Sequence, residues 1–156
     1  MRRPDRTLLS VLLCVGLTLA TPLPVAVGAE FAAAENHYRL TYTASSPRSL
    51  AVEAEIDVVG DALTMDWASA SFLDEGWATF VCDLRAYGLD GAEVALSPEG
   101  AGRWRLDRAL DRVRLSYTVR LEHDLIGWDE GGHDEAAYVL DDLIFFVGKA
   151  VFVTAG

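Results

Sequence analysis

The residues with the most chemistry in this chain crowd into "HDLIGWDEGGHDE", positions 123–135, which hold two of its three histidines and five of its carboxylates. Imidazole and carboxylate together are the donor set of a zinc site, or the partners of an acid–base catalyst. His123 and His133, with Asp129 and Asp134, are the candidate metal ligands. Zinc wants three or four donors converging at about 2.0–2.2 Å, usually with two of them close together on one element. Ten positions separate these histidines. A calcium loop wants regularly spaced oxygens around a sharp glycine turn, and "DEGGHDE" is too short to supply them. An acid–base role would need a pocket and shifted pKa values. The reading that asks least is a polar connection. "RLEHD" closes one strand, "AAYVL" opens another, and Gly131-Gly132 makes the bend. A metal site and an acid–base site stay open beside it, and no catalytic residue is assigned.

Elsewhere the reactive spacings are missing. HExxH, GxSxG, GxGxxG, CxxC and the phosphate-binding loop do not occur. His37 is isolated. Cys82, in "ATFVCDLRA", alternates with Phe80 and Leu84, which predicts a small apolar side chain turned inward rather than a nucleophile.

The elements that must position these residues are strands. "LAVEAEIDV" (50–58) places Leu50, Val52, Ala54, Ile56 and Val58 on one face, with Glu53, Glu55 and Asp57 on the other. "RVRLSYTVRLE" (112–122) repeats the pattern, with Val113, Leu115, Tyr117, Val119 and Leu121 against a row holding Arg112, Arg114 and Arg120. Period-two alternation is the mark of a strand with one dry face and one wet face. The arginine row is expected to pair across strands with the acidic row and so help fix register. Shorter runs at 38–43, 63–67, 79–85, 92–96 and 103–107 behave alike, while 137–148 and 149–155 are more continuously apolar. "SASFLDEGWA" (69–78) breaks the alternation and reads as a loop between sheets. With Gly, Pro and Asp turns between the runs, the fold expected is all-β, an antiparallel sandwich of about seven to nine strands.

The N-terminus looks like a targeting segment. "MRRPDR" is basic, "TLLSVLLCVGLTLA" (7–20) is uncharged, and "TPLPVAVGA" leads to a small-residue cut after Ala29. The run is shorter than the roughly 20 residues a membrane span needs. The domain plan is therefore a signal peptide at 1–29, a short extension at 30–36 and one domain at 37–156, in a protein that is secreted or periplasmic with no stable membrane span after cleavage. Cleavage takes away three cations and one carboxylate, deepening the net charge from −11 to −13. So acidic a surface repels nucleic acid. It also leaves Cys82 as the sole cysteine, which rules out an internal disulfide.

The order "YRLTYT…LAVEAEIDV…LTMDW…VCDLRAYGLDGAEV…RWRL…DRVRLSYTVRLEHD…AYVLDDLIFFVGKAVF" resembles the N-terminal domain of the glycyl-aminopeptidase-like metallopeptidases, bacterial gluzincins in which a β-sandwich precedes a zinc catalytic domain. The resemblance runs over about residues 37–154. "MDW", "DLRAYGLDG" and "RVRLSYTVRL" carry it best. "WASASFLDEGW" (67–77) departs from it, lacking the proline of the family's Trp-x-Pro-Gly-x-Tyr stretch. The zinc-binding HExxH helix has no counterpart here, so no catalytic residue carries over.

The resemblance implies a non-catalytic N-terminal module, a truncated or split form of such a peptidase. Its partner would be the peptidase catalytic domain, in cis or in trans. No cofactor is expected in this chain, zinc belonging to a missing downstream catalytic domain. The apolar "LIFFVGKAVFV" (143–153) would be partly an interdomain surface. The alternative is a stand-alone secreted binding module that takes a glycan or peptide on exposed Trp77 and Trp128.

Overall fold

A computed structural model describes residues 35–121, 136–140 and 143–156. The described residues are all-β, with antiparallel sheets and no α-helix. None of their helices is long and apolar enough to cross a membrane, which says nothing about crossing by strands.

The larger sheet holds five strands in the order β1-β2-β8-β4-β5. These are β1 (His37–Thr43), β2 (Ser49–Asp57), β8 (Arg112–Arg120), β4 (Val81–Tyr87) and β5 (Glu93–Val94). The second sheet runs β11-β3-β7-β6. It is built from β11 (Thr154–Ala155), β3 (Ala62–Thr64), β7 (Arg103–Leu106) and β6 (Leu96–Gly100). A two-stranded hairpin joins β9 (Tyr138–Leu140) to β10 (Leu143–Phe145).

The centre follows from alternation. Leu50, Val52, Ala54 and Ile56 of β2 are buried with Val113, Leu115, Tyr117 and Val119 of β8, in one core that also takes Leu63 and Leu106 from the second sheet. The register sets Asp57 opposite Arg112, Glu55 opposite Arg114 and Glu53 opposite Ser116. The expected cross-strand pairing is made by Arg112, whose Nε donates to Glu55 at 2.8 Å and Nη1 to Asp57 at 2.5 Å. The bond to Glu55 contributes most to holding this guanidinium protonated beyond its ordinary range. Arg114 and Arg120 go elsewhere. Arg114 donates to the carbonyls of Gly88 and Leu89, and Arg120 to that of Thr79.

The described residues contain eleven strands, more than the alternation predicts. Ladders two or three residues long carry no readable period. Residues 92–96 form a corner instead of one strand, β5 lying in the larger sheet and β6 in the smaller, with Ala95 between them accepting from Asp107 N. The run 63–67 ends early. Met65 N donates to Gly102 O, and the Asp66 carboxylate then accepts from the backbone N–H and the hydroxyl of Ser69, closing a 3₁₀ turn at Ala68–Ala70. A second 3₁₀ turn spans Gly76–Phe80, so the expected crossing loop is mostly tight helical turns.

Cys82 is placed differently from its expected inward position. Its strand partner is Thr118, whose neighbours Tyr117 and Val119 are the buried ones. Between Cys82 and Arg85 the register shifts, with Asp83 at φ +54°. This β-bulge sets two residues against one, so the chain changes face between Cys82 and Leu84. Cys82 therefore lies half-buried on the outer side.

Candidate functional site

Of the residues singled out for chemistry, His123, His133, Asp129 and Asp134 lie outside the described residues, as does Trp128. Among the described residues no group of three or more His, Cys, Asp or Glu is placed to hold a metal ion. Trp77 is not an exposed platform. It is fully buried (0% exposed), with its indole Nε1 donating to Ser69 Oγ at 2.8 Å and its ring edge-on to Phe72 at 6.2 Å. A 3₁₀ turn hides it where broken alternation predicted a surface. Among the described residues the exposed indole is that of Trp67, 41% open, its Nε1 donating to Asp74 O.

His37 lies in a broad open depression of about 810 Å³ on the outer face of the larger sheet, beside Arg39, Glu53, Glu55, Tyr87 and Arg114. Arg39 faces Glu53 at 3.5 Å, and Arg114 is spent on backbone carbonyls. The depression is a lattice of compensated surface charge. Among the described residues that line it, no nucleophile is paired with a base by a hydrogen bond.

The surface that stands out is apolar and lies at the C-terminal hairpin. Leu143 is paired with Leu140, Ile144 with Val139 and Phe145 with Tyr138. Alternation along β10 sends Ile144 toward the core and leaves Leu143 65% and Phe145 36% exposed. Tyr138 and Phe145 stack across the strands, ring centroids 5.1 Å apart at 35°. Behind them Phe146 meets Phe152 edge-on at 6.2 Å, and Phe152 packs on Tyr38 at 4.4 Å.

The hairpin rests on a segment fixed firmly to the sheets. Tyr117 Oη donates to Val151 O at 2.9 Å and accepts from Val153 N at 3.1 Å. Tyr38 Oη donates to Val153 O at 2.8 Å. Burial pushes the Tyr117 phenol well above its usual range, the hydrogen bond from Val153 N only partly opposing it, and burial pushes Tyr38 up as well. Ala150, Val151 and Val153 are thus core residues. Of the expected interdomain surface at 143–153, the exposed large apolar side chains are Leu143 and Phe145. Tyr117 was legible only as one more apolar-face residue; nothing in the spacing marks its hydroxyl as a clamp.

No family model matches the chain, and no curated protein matches it. Among solved structures, its fold is similar to part of an aminopeptidase N family protein from Idiomarina loihiensis. The TM-score is 0.54 at 18% sequence identity, over 76% of this chain. The likeness is one of fold. This chain spans 19% of the length of that protein.

Proposed function

We propose that the chain is a non-catalytic β-sandwich module of an aminopeptidase-type metallopeptidase, of the glycyl-aminopeptidase-like kind. It packs against a zinc-bearing catalytic domain supplied in cis or in trans. A signal peptide at 1–29 directs it to the periplasm or the exterior. The observation that carries this reading is the fold likeness to one portion of a much larger aminopeptidase N family protein. The open apolar pair Leu143 and Phe145 supports it, since an exposed apolar patch at the end of the core is what a neighbouring domain would cover. The module's work is mechanical: it excludes water from one side of the partner and holds that side in place. Zinc and the water it activates belong to the catalytic partner.

The test has two readouts. The purified chain is expected to bind a hydrophobic dye, and Leu143→Ser with Phe145→Ser to lose most of that binding without change in far-UV circular dichroism. It is also expected to release no amine from aminoacyl amides, with or without added zinc. Chelator-sensitive hydrolysis by the chain alone would overturn the proposal, as would a chain indifferent to the dye.

A further inference from the structure

Among the described residues, four strands end the two larger sheets, and three of them are blunted. β5 and β11 are two residues long, and β6 carries Pro98 with a register shift between Pro98 and Gly100. Short length, proline and bulges are the usual means of keeping an edge from pairing with another chain. β1 has none of them. It runs seven regular residues, "HYRLTYT", in unbroken register with β2.

The backbone groups facing the open side of β1 can be identified. In β2, Asp57 N donates toward Asn36 on the β1 side, whereas Val58 N donates to Asp111 O on the β8 side. Odd-numbered residues of β2 therefore point their N–H and C=O at β1. Their partners are His37, Arg39, Thr41 and Thr43. Antiparallel pairing alternates, so Tyr38, Leu40 and Tyr42 turn their N–H and C=O groups to the open edge. Beyond that edge Tyr42 leaves its ring 38% exposed, next to Leu40 and the Tyr38–Phe152 stack.

This edge is complementary to itself. We propose that two copies of the chain join β1 to β1, antiparallel, about a two-fold axis at Leu40. Leu40 then faces its own copy, and Tyr38 faces Tyr42 of the second molecule on either side. All three outward-facing positions are matched at once, making about six main-chain hydrogen bonds. The Tyr42 ring of each copy lies over the Tyr38 side of the other, an aromatic cross-strand pair. On the outer face Arg39 meets Thr41 and His37 meets Thr43, so no like charges stand directly opposite. In a chain of net charge −11, β1 contains no acidic residue, so a β1–β1 contact sets no carboxylate of one edge strand against that of its copy. The contact is isologous and uses the long edge of both molecules. Only two-residue β5 is left at either end of the joined sheet, and assembly stops at two.

The dimer is independent of the hairpin surface, and its test keeps them apart. Sedimentation equilibrium of the purified protein should give twice the chain mass. Tyr42→Pro removes one outward N–H, and an edge strand tolerates proline at such a position. It should weaken the dimer about tenfold or more while circular dichroism is unchanged. Tyr42→Lys, which keeps the backbone and adds a charge to the edge, should also favour the monomer. Leu143→Ser with Phe145→Ser should remain dimeric. A native protein that is monomeric at every concentration would overturn the proposal. So would a Tyr42 variant that stays dimeric with its fold intact, or a dimer dissolved by the hairpin substitutions.

Discussion

The seam between β2 and β8 and the segment from Met65 to Phe80 both fill the core, by different means. In the seam, Ile56, Val113 and Val119 are buried because a pleated strand sends every second side chain inward. In the segment, Trp77 is buried just as fully from a 3₁₀ turn. Gly76, at φ +55°, lets that turn start against Trp67; a Cβ there would lie 2.7 Å from Trp67 Cα. Asp66 holds Ser69, and Ser69 takes the indole N–H. The seam is specified by period and the segment by local hydrogen bonds, yet each supplies large side chains to one core.

The most severe way to break this comparison is Trp77→Ala. Emptying a fully buried indole site should cost about 3–5 kcal/mol, a large part of the 5–15 kcal/mol that holds a typical domain folded. Urea unfolding followed by circular dichroism reads it. A cost below about 1 kcal/mol would mean that the segment is not part of the core at all.

That contrast also says what could be read in the sequence. Strands β2 and β8, their inner and outer faces and the Arg112 pairing were legible because one whole face is apolar and the other charged. Trp77 was misplaced because a 3₁₀ turn has no period-two signal and its broken alternation looks like open loop. Cys82 was misplaced for a related reason: one extra residue at Asp83 flips the face, and period alone cannot announce a bulge. The corner at Ala95 looks like a single strand in the sequence, since a change of sheet leaves no mark in five residues. The hairpin's exposed face was half legible. Continuous hydrophobicity over 143–153 marked the region, but separating the open Leu143 from the buried Val151 needed the Tyr117 clamp. The histidine-rich stretch at 123–135, first in chemical promise, lies outside the described residues.

Tyr117 sharpens the comparison because it belongs to the seam by its ring and to the chain end by its hydroxyl. Tyr117→Phe keeps the ring and leaves the buried Val153 N–H without its acceptor, at a cost of about 1–3 kcal/mol. The pH dependence supplies a second readout. The folded phenol holds its proton more tightly than the unfolded one, which ionises near pH 10. This stabilisation is complete below pH 10 and falls as pH rises from there toward the raised folded value, because the unfolded chain loses its proton first. Tyr38, also raised, adds to the same slope. Tyr117→Phe should flatten the alkaline limb of a stability–pH curve without abolishing it. An unchanged slope would show that the hydroxyl is not buried in solution.

The smallest effect is expected at Asp83 in β4, the strand on the other side of β8, where alternation departs from its period. A non-glycine residue at φ +54° costs of order 1 kcal/mol, less for aspartate than for a β-branched residue. Asp83→Gly relieves that strain but frees the unfolded chain, so the two changes oppose and the net shift should stay within about 1 kcal/mol. Asp83→Val has no such relief and should be clearly less stable than Asp83→Gly. The bulge also fixes which way Cys82 faces, so the native protein should react with a thiol reagent in both the parent and the glycine variant. If valine were tolerated as well as glycine, and Cys82 reacted only after unfolding, the strand would be running without its bulge. Alternation would then govern β4 as it governs β2 and β8, and Cys82 would lie inward.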